Sequence, residues 1–253
     1  MTPQPARLTV AIPLVGPAES KALQRTLDAW LELSLLDHIE ILIQVGSAHS
    51  DEFDPALRAH PAHPLWDFAP DTGVYDAMNK MIQRATAPRI LFLGAGDLPL
   101  PGLSNAIQRW TADPVNIELG GVRIDSPEAH VPVHYPARWD RSLVWRNTTH
   151  HQGMAYPLAL IRAWGGFSEH YRVLGDYALN IDLFQAEVQA QWEVGEDWVR
   201  VQAGGLSRQF NMALYREEWA LKKERLPLGW ARCVQPLWLI GKALWKMTAQ
   251  RGK

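Results

Sequence analysis

Asp97 closes the run Gly94-Ala95-Gly96-Asp97, directly after the apolar segment Arg89 to Leu93 (RILFL). An acidic side chain leaving a buried strand is well placed to hold a divalent metal beside a diphosphate, and the small residues before it let backbone approach a ligand. The same residues also suit an ordinary strand-to-helix turn, where Gly and Asp abound, so the local sequence leaves both readings open. A second polar cluster, Asp71 to Lys80 (DTGVYDAMNK), sets Asp76, Asn79 and Lys80 on one side of a helix, with Lys80 able to meet a phosphate. A solvated helix face is the plain alternative there. A third, the Gly-Ser loop after Val45, follows another apolar run.

These clusters need elements to hold them. Leu8 to Ile12 (LTVAI) and Ile39 to Val45 (IEILIQV) read as strands, with a helix between them marked by Leu23, Leu27, Trp30 and Leu31 and by Ser20 as a candidate cap. Strand, helix and strand in that space suggest a βαβ unit, and near-continuous apolar runs suit parallel strands buried on both faces. The pattern continues with a helix over Tyr75 to Ala85, strands over Arg89 to Leu93 and Ile117 to Ile124, helices over Tyr156 to Trp164 and Tyr177 to Val188, and a short strand over Trp198 to Gln202. A charged helix follows, with Glu218 four residues before Lys222. The class expected is α/β, with a mostly parallel central sheet flanked by helices and ligands bound outside the carboxyl ends of its strands.

Bulk properties narrow the field. The chain has 253 residues, 47% hydrophobic and 21% charged, with a net charge of -2. That is a globular composition without the basic excess a general nucleic-acid binder needs. A lone cysteine, Cys233, excludes an internal disulfide and a multi-cysteine zinc site. The first apolar run is broken early by Pro13, unlike a secretory leader, and no uncharged apolar stretch reaches membrane-spanning length. A cytoplasmic protein is expected.

Five short segments then acquire weight together: PDTGVYDAMNK (Pro70 to Lys80), RILFLGAGD (Arg89 to Asp97), HHQGMAYP (His150 to Pro157), GGFSEHYRVLGDYAL (Gly165 to Leu179) and AGGLS (Ala203 to Ser207). In this order and spacing they resemble family-2 glycosyltransferases of the GT-A fold, in the branch found with bacterial polysaccharide assembly. The resemblance covers roughly residues 8 to 225. It implies a GT-A domain over 1–225 with a Rossmann-like sheet, and an inverting transfer of sugar from a nucleotide-diphosphate donor, first of all a UDP-sugar, to a glycan or lipid-linked acceptor. It further implies roles. Pro13, Val45, Gly46, Asp71, Gly73, Asp76, Asn79 and Lys80 would line the donor, and Asp97 would hold Mg²⁺ or Mn²⁺ on the diphosphate. Asp176 would be the general base, against the alternative of an N-cap for the helix beginning at Tyr177. His151, Gln152, Gly204 and Gly205 would border the acceptor and diphosphate.

Two departures stand out. Many relatives carry an acid at the end of the second strand, where this chain has Val45, and two acids at the metal motif, where this chain has Gly94 and Asp97. They support a rival reading, a degenerate nucleotide-sugar-binding or scaffold protein that keeps the fold without turnover. A nucleotidyltransferase is disfavoured because the loop Leu14 to Ser20 lacks the basic residue that would greet a triphosphate. Beyond 225, the tail 226–253 sets Trp230, Val234, Leu237, Trp238 and Trp245 near one helical face with Arg232, Lys242 and Lys246 interspersed. Such a face suits either peripheral contact with the inner, anionic membrane surface or packing on the main domain.

Overall fold

The computed structural model describes residues 5–125, 133–202 and 212–226, together with Gly241. The first part of the chain alternates as the apolar runs require: β1 (Leu8–Leu14), α1 (Ser20–Glu32), β2 (Ile39–Val45), a short α2 (Pro55–Arg58), β3 (Leu65–Phe68), α3 (Val74–Arg84) and β4 (Arg89–Phe92). The second part continues through β5 (Leu98–Pro99), α4 (Pro101–Arg109), β6 (Ile117–Ile124), β7 (His134–Tyr135), α5 (Ser142–Trp145), β8 (Met154–Pro157), α6 (Leu158–Ala163), α7 (Gly175–Gln185), β9 (Ala190–Val201) and α8 (Met212–Arg225). Together they form a nine-stranded sheet of order β3-β2-β1-β4-β8-β6-β9-β5, with β7 paired to β6.

The α/β class expected from the sequence is borne out. Strands β3, β2, β1 and β4 run parallel, with Val10 opposite both Ile41 and Leu91. Each face of this half is covered, by α1 (Leu23, Leu27, Trp30) in one core cluster and by α3 (Met78, Met81, Ile82) in another. Beyond β4 the sheet turns mixed: β8 is antiparallel to both β4 and β6, while β6 and β9 are parallel. Gly120 on β6 makes room for an indole, since a Cβ there would lie 1.9 Å from Cγ of Trp198 on β9.

Several element boundaries differ from the sequence reading. Tyr156 and Pro157 belong to strand β8, not to a helix, and the helix starts only at Leu158. A four-residue apolar run carries no periodicity that separates the two states. Strand β3 was not anticipated, and β9 begins eight residues before Trp198. Ser20 is the first residue of α1, not its cap: the N-cap position is Glu19, and the Ser20 N–H instead closes the 3-10 turn over Pro17–Glu19 by donating to Pro17 O. α7 starts at Gly175 with Leu174 as its N-cap, so Asp176 lies inside the first turn and the capping alternative for it falls away. His150 and His151 lie at a 3-10 turn with rings stacked, centroids 5.6 Å apart. The proposed tail face, and Gly204 and Gly205, fall outside the described residues.

Candidate active site

Asp97 is placed by the loop that leaves β4. Its backbone N–H donates to Gly94 O at 3.1 Å, and Gly96 holds φ 93°, a left-handed value that favours glycine. Thr26 on α1 pins this loop from below: its hydroxyl donates to Asp97 O and accepts from Gly96 N–H, both at 2.9 Å. The Asp97 carboxylate is only 3% exposed. It accepts from Gly94 N–H (2.6 Å), Gln202 N–H (3.2 Å) and the Gln152 side-chain amide (3.3 Å). Burial pushes its pKa above the ordinary carboxylate value, against the pull of those donors.

Asp176 comes from the first turn of α7 and is 6% exposed. Its Oδ2 meets His151 Nδ1 at 3.1 Å, its Oδ1 lies 3.0 Å from the Tyr75 hydroxyl, and the Tyr177 N–H also donates to it. Burial opposes its ionisation, but the hydrogen bonds and the neighbouring imidazole outweigh that, and its pKa falls below the ordinary value. Tyr75 also lies 2.7 Å from Val173 O. Val173 N–H and Leu174 N–H in turn donate to Glu217 on α8, at 2.8 and 2.7 Å.

The two aspartates, 79 positions apart in sequence, are therefore joined by two consecutive residues: His151 holds Asp176 and Gln152 holds Asp97. The Gln152 Oε1 is buried and has no hydrogen-bond partner among the described residues.

Among the expected donor residues, Asp71 sits over the end of β2. A Cβ on Gly46 would fall 2.6 Å from its Oδ2, so the bare backbone there makes its seat. Its Oδ1 accepts from Gly73 N–H at 3.1 Å, and burial raises its pKa. Pro13 is half-buried near the end of β1. Val45 is fully buried at 0% exposure and its carbonyl accepts from Ala69 N–H, which leaves its side chain no surface to offer a ligand. The polar face of α3 is largely occupied by the protein itself. Asn79 clasps the Phe167 backbone, donating to its carbonyl at 2.9 Å and accepting its N–H at 2.8 Å. Lys80 donates to Pro70 O (2.6 Å) and to Asp76 (3.1 Å), and Asp76 accepts the Thr72 N–H at 2.8 Å. These groups shape the turn that presents Asp71.

Thr26 and Gln202 are positioning residues that the sequence did not reveal. Thr26 lies between Leu23 and Leu27 on the buried side of α1, and a polar residue within an apolar stripe is the only signal it gives. Tyr75 lies within the conspicuous Asp71–Lys80 segment but was read only as the start of a helix.

Among the described residues no group of three or more His, Cys, Asp or Glu side chains is arranged to hold a metal ion. A cation that arrives with a diphosphate would need only one protein carboxylate, because Mg²⁺ commonly completes its shell with phosphate oxygens and water. Asp97 offers that carboxylate, with three N–H donors against about four lone-pair directions.

No family model matches the chain. Curated proteins named PGL/p-HBAD biosynthesis glycosyltransferase, from Mycobacterium bovis and Mycobacterium tuberculosis, are 34% identical over 125 residues. That match takes in 45% of this chain and 44% of each relative, so the chain spans under half the length of these relatives. Among solved structures, residues 1–349 of Staphylococcus aureus TarS in complex with UDP-GlcNAc superpose with a TM-score of 0.63 at 12% identity, covering 85% of this chain and 65% of that TarS segment. The mannosyltransferase PcManGT from Pyrobaculum calidifontis, in complex with GDP-Man and Mn²⁺, gives 0.60 at 17% identity, covering 98% and 76%. The chain has the GT-A glycosyltransferase fold. The resemblance read in its sequence is borne out, in the names of its relatives and in the architecture. In this GT-A sheet, Asp97, Asp71 and Gly46 all lie at or beyond the carboxyl ends of parallel strands, where open α/β sheets bind ligands.

Proposed function

We propose that the chain is an inverting glycosyltransferase that moves a sugar from a nucleotide-diphosphate donor, first of all a UDP-sugar, to a hydroxyl of a glycan or lipid-linked acceptor. The observation that carries this reading is the His151–Gln152 bridge, which ties the buried Asp176 and Asp97 into one site. The nucleoside rests on Pro13, Gly46 and Asp71. The acceptor oxygen attacks the anomeric carbon, the bond to the diphosphate breaks with its electron pair leaving on the diphosphate, and the Asp176–His151 pair takes the hydroxyl proton. Asp97 would hold Mg²⁺ or Mn²⁺, which when bound supplies countercharge to the departing diphosphate. A screen of nucleotide sugars for release of nucleoside diphosphate, with and without Mn²⁺, tests the reading. Absence of release with every donor and acceptor class would sink it.

The rival reading, a scaffold that binds nucleotide sugar without turnover, draws on the buried Val45 and on Gly94, positions where many relatives carry acids. Calorimetry with UDP separates the readings further: tightening by Mn²⁺ favours the enzyme, whereas no nucleotide binding favours the scaffold. No described helix is long and apolar enough to cross a membrane. We place the enzyme in the cytoplasm, peripheral on the inner membrane face, and flotation with anionic vesicles checks that placement.

A further inference from the structure

Asp176 is poorly disposed to meet an acceptor directly. It is 6% exposed, and both of its oxygens are engaged, Oδ1 with the Tyr75 hydroxyl and Oδ2 with His151 Nδ1. The His151 side chain is 29% exposed. Its Nδ1 is occupied by Asp176, and its Nε2 makes no hydrogen bond among the described residues. An ionised carboxylate only accepts hydrogen bonds, so the ring nitrogen facing it must carry the proton, and Nε2 is left with a lone pair.

From this geometry we infer that His151 Nε2 takes the acceptor's proton, and that Asp176 is a positioning residue that fixes the imidazole's tautomer and orientation. The inference deepens the function proposed above and rests on it. The balance is simple. The acceptor O–H bond breaks as its oxygen bonds to the anomeric carbon, the proton passes to Nε2, and the sugar–diphosphate bond releases its electron pair to the diphosphate. The imidazolium so formed faces the Asp176 carboxylate, which stabilises it, as in other carboxylate–imidazole pairs. A partly exposed ring nitrogen with an available lone pair suits a proton acceptor better than a buried carboxylate whose two oxygens are already engaged.

Among the described residues, the groups that face His151 are few. Asp176 meets it from α7. Asp97, beyond β4, feels its charge. The His150 ring stacks on it from the same turn, and Tyr75 on α3 reaches it only through Asp176. β6 backs the turn with the uncharged Gly120 and Val122, and beyond β9 Gln202 lends a backbone N–H to Asp97.

The test is His151→Ala, with donor affinity measured beside turnover. The expected result is a fall in kcat of about 100-fold or more with donor Kd unchanged, partly restored by added imidazole. With substituted imidazoles, the restored rate should follow their basicity. A smaller fall, or one that imidazole leaves unrestored, overturns the inference. Because that variant removes a packed ring, a second measurement uses the unmodified protein: ¹⁵N shifts should place the His151 proton on Nδ1 at neutral pH, and Asp176→Asn should redistribute it. A proton found on Nε2 in the unmodified protein overturns the inference. Wild-type protein that turns over no nucleotide sugar removes the proposed function, and this inference with it. Turnover that survives in His151→Ala removes the inference alone.

Discussion

The half of the sheet before β5 and the half after it are built by different rules. The first is parallel, β3-β2-β1-β4, buried on both faces and punctuated by loops at the carboxyl ends of strands. The second interleaves antiparallel and parallel pairs, and β6 bears register shifts against β9. The first half presents Asp71 and Asp97 on loops, whereas the second delivers His151, Gln152 and Asp176 from a 3-10 turn and a helix start. The two buried aspartates differ accordingly. At Asp97 burial outweighs the N–H donors and raises the pKa, while at Asp176 the hydrogen bonds and the His151 ring outweigh burial and lower it. On the proposed function, the first half binds the donor and the second handles the acceptor's proton.

That division can be broken most sharply at Asp176. Asp176→Asn should lower kcat by about 10³-fold, roughly 4 kcal/mol of barrier, while donor Kd stays near the wild-type value. Steady-state kinetics beside calorimetry reads both, and a parallel loss of donor binding would erase the distinction between the halves. Next in size is Gly120→Ala, whose Cβ would collide with the Trp198 indole. Overpacking of this kind costs about 1–3 kcal/mol, read as a thermal midpoint lowered by several degrees. No change there would mean that the β6–β9 seam is looser than its packing implies. Gly46→Ala should displace the Asp71 carboxylate and weaken donor binding by about tenfold, or ~1.4 kcal/mol, while kcat at saturating donor is retained. A loss of kcat instead would move Asp71 into the chemistry.

The smallest effect concerns acid. Because the folded-state pKa of Asp176 lies below its ordinary 3.8, its ionisation stabilises the fold above that value, and the contribution fades as pH falls through the lowered pKa. The stability gap between wild type and Asp176→Asn should hold at pH 5 to 7 and close below about pH 3.8 in acid-unfolding curves. A gap that widens in acid would mean the shift runs the other way.

The sequence spoke clearly where one physical demand acted alone. Burial on both faces made β1, β2, β4 and β6 visible as apolar runs, and helical spacing exposed α1 and α3. β3 escaped notice because it is a four-residue strand at the sheet edge, with Leu65 52% exposed. β8 was hidden because MAYP carries no periodicity. β9 was shortened because its first half is charged and exposed, with Gly195 at φ 84° interrupting it. The site was named through family likeness rather than derived from spacing. That route pointed to Asp97, Asp176, His151 and Gln152, but it also swept in Asn79, whose amide serves the Phe167 backbone, and Val45, sealed in the core. Thr26 and Tyr75 become meaningful only in three dimensions, because their partners lie 70 to 101 positions away.

A phenol carries a single hydrogen, and at Tyr75 two oxygens claim it: the Val173 carbonyl and a carboxylate oxygen of Asp176. The segment ahead of α7 is gripped on its other edge by Glu217 of α8. That short segment is thus held from two sides, by the Tyr75–Asp176 cluster and by a helix more than forty positions downstream of Val173.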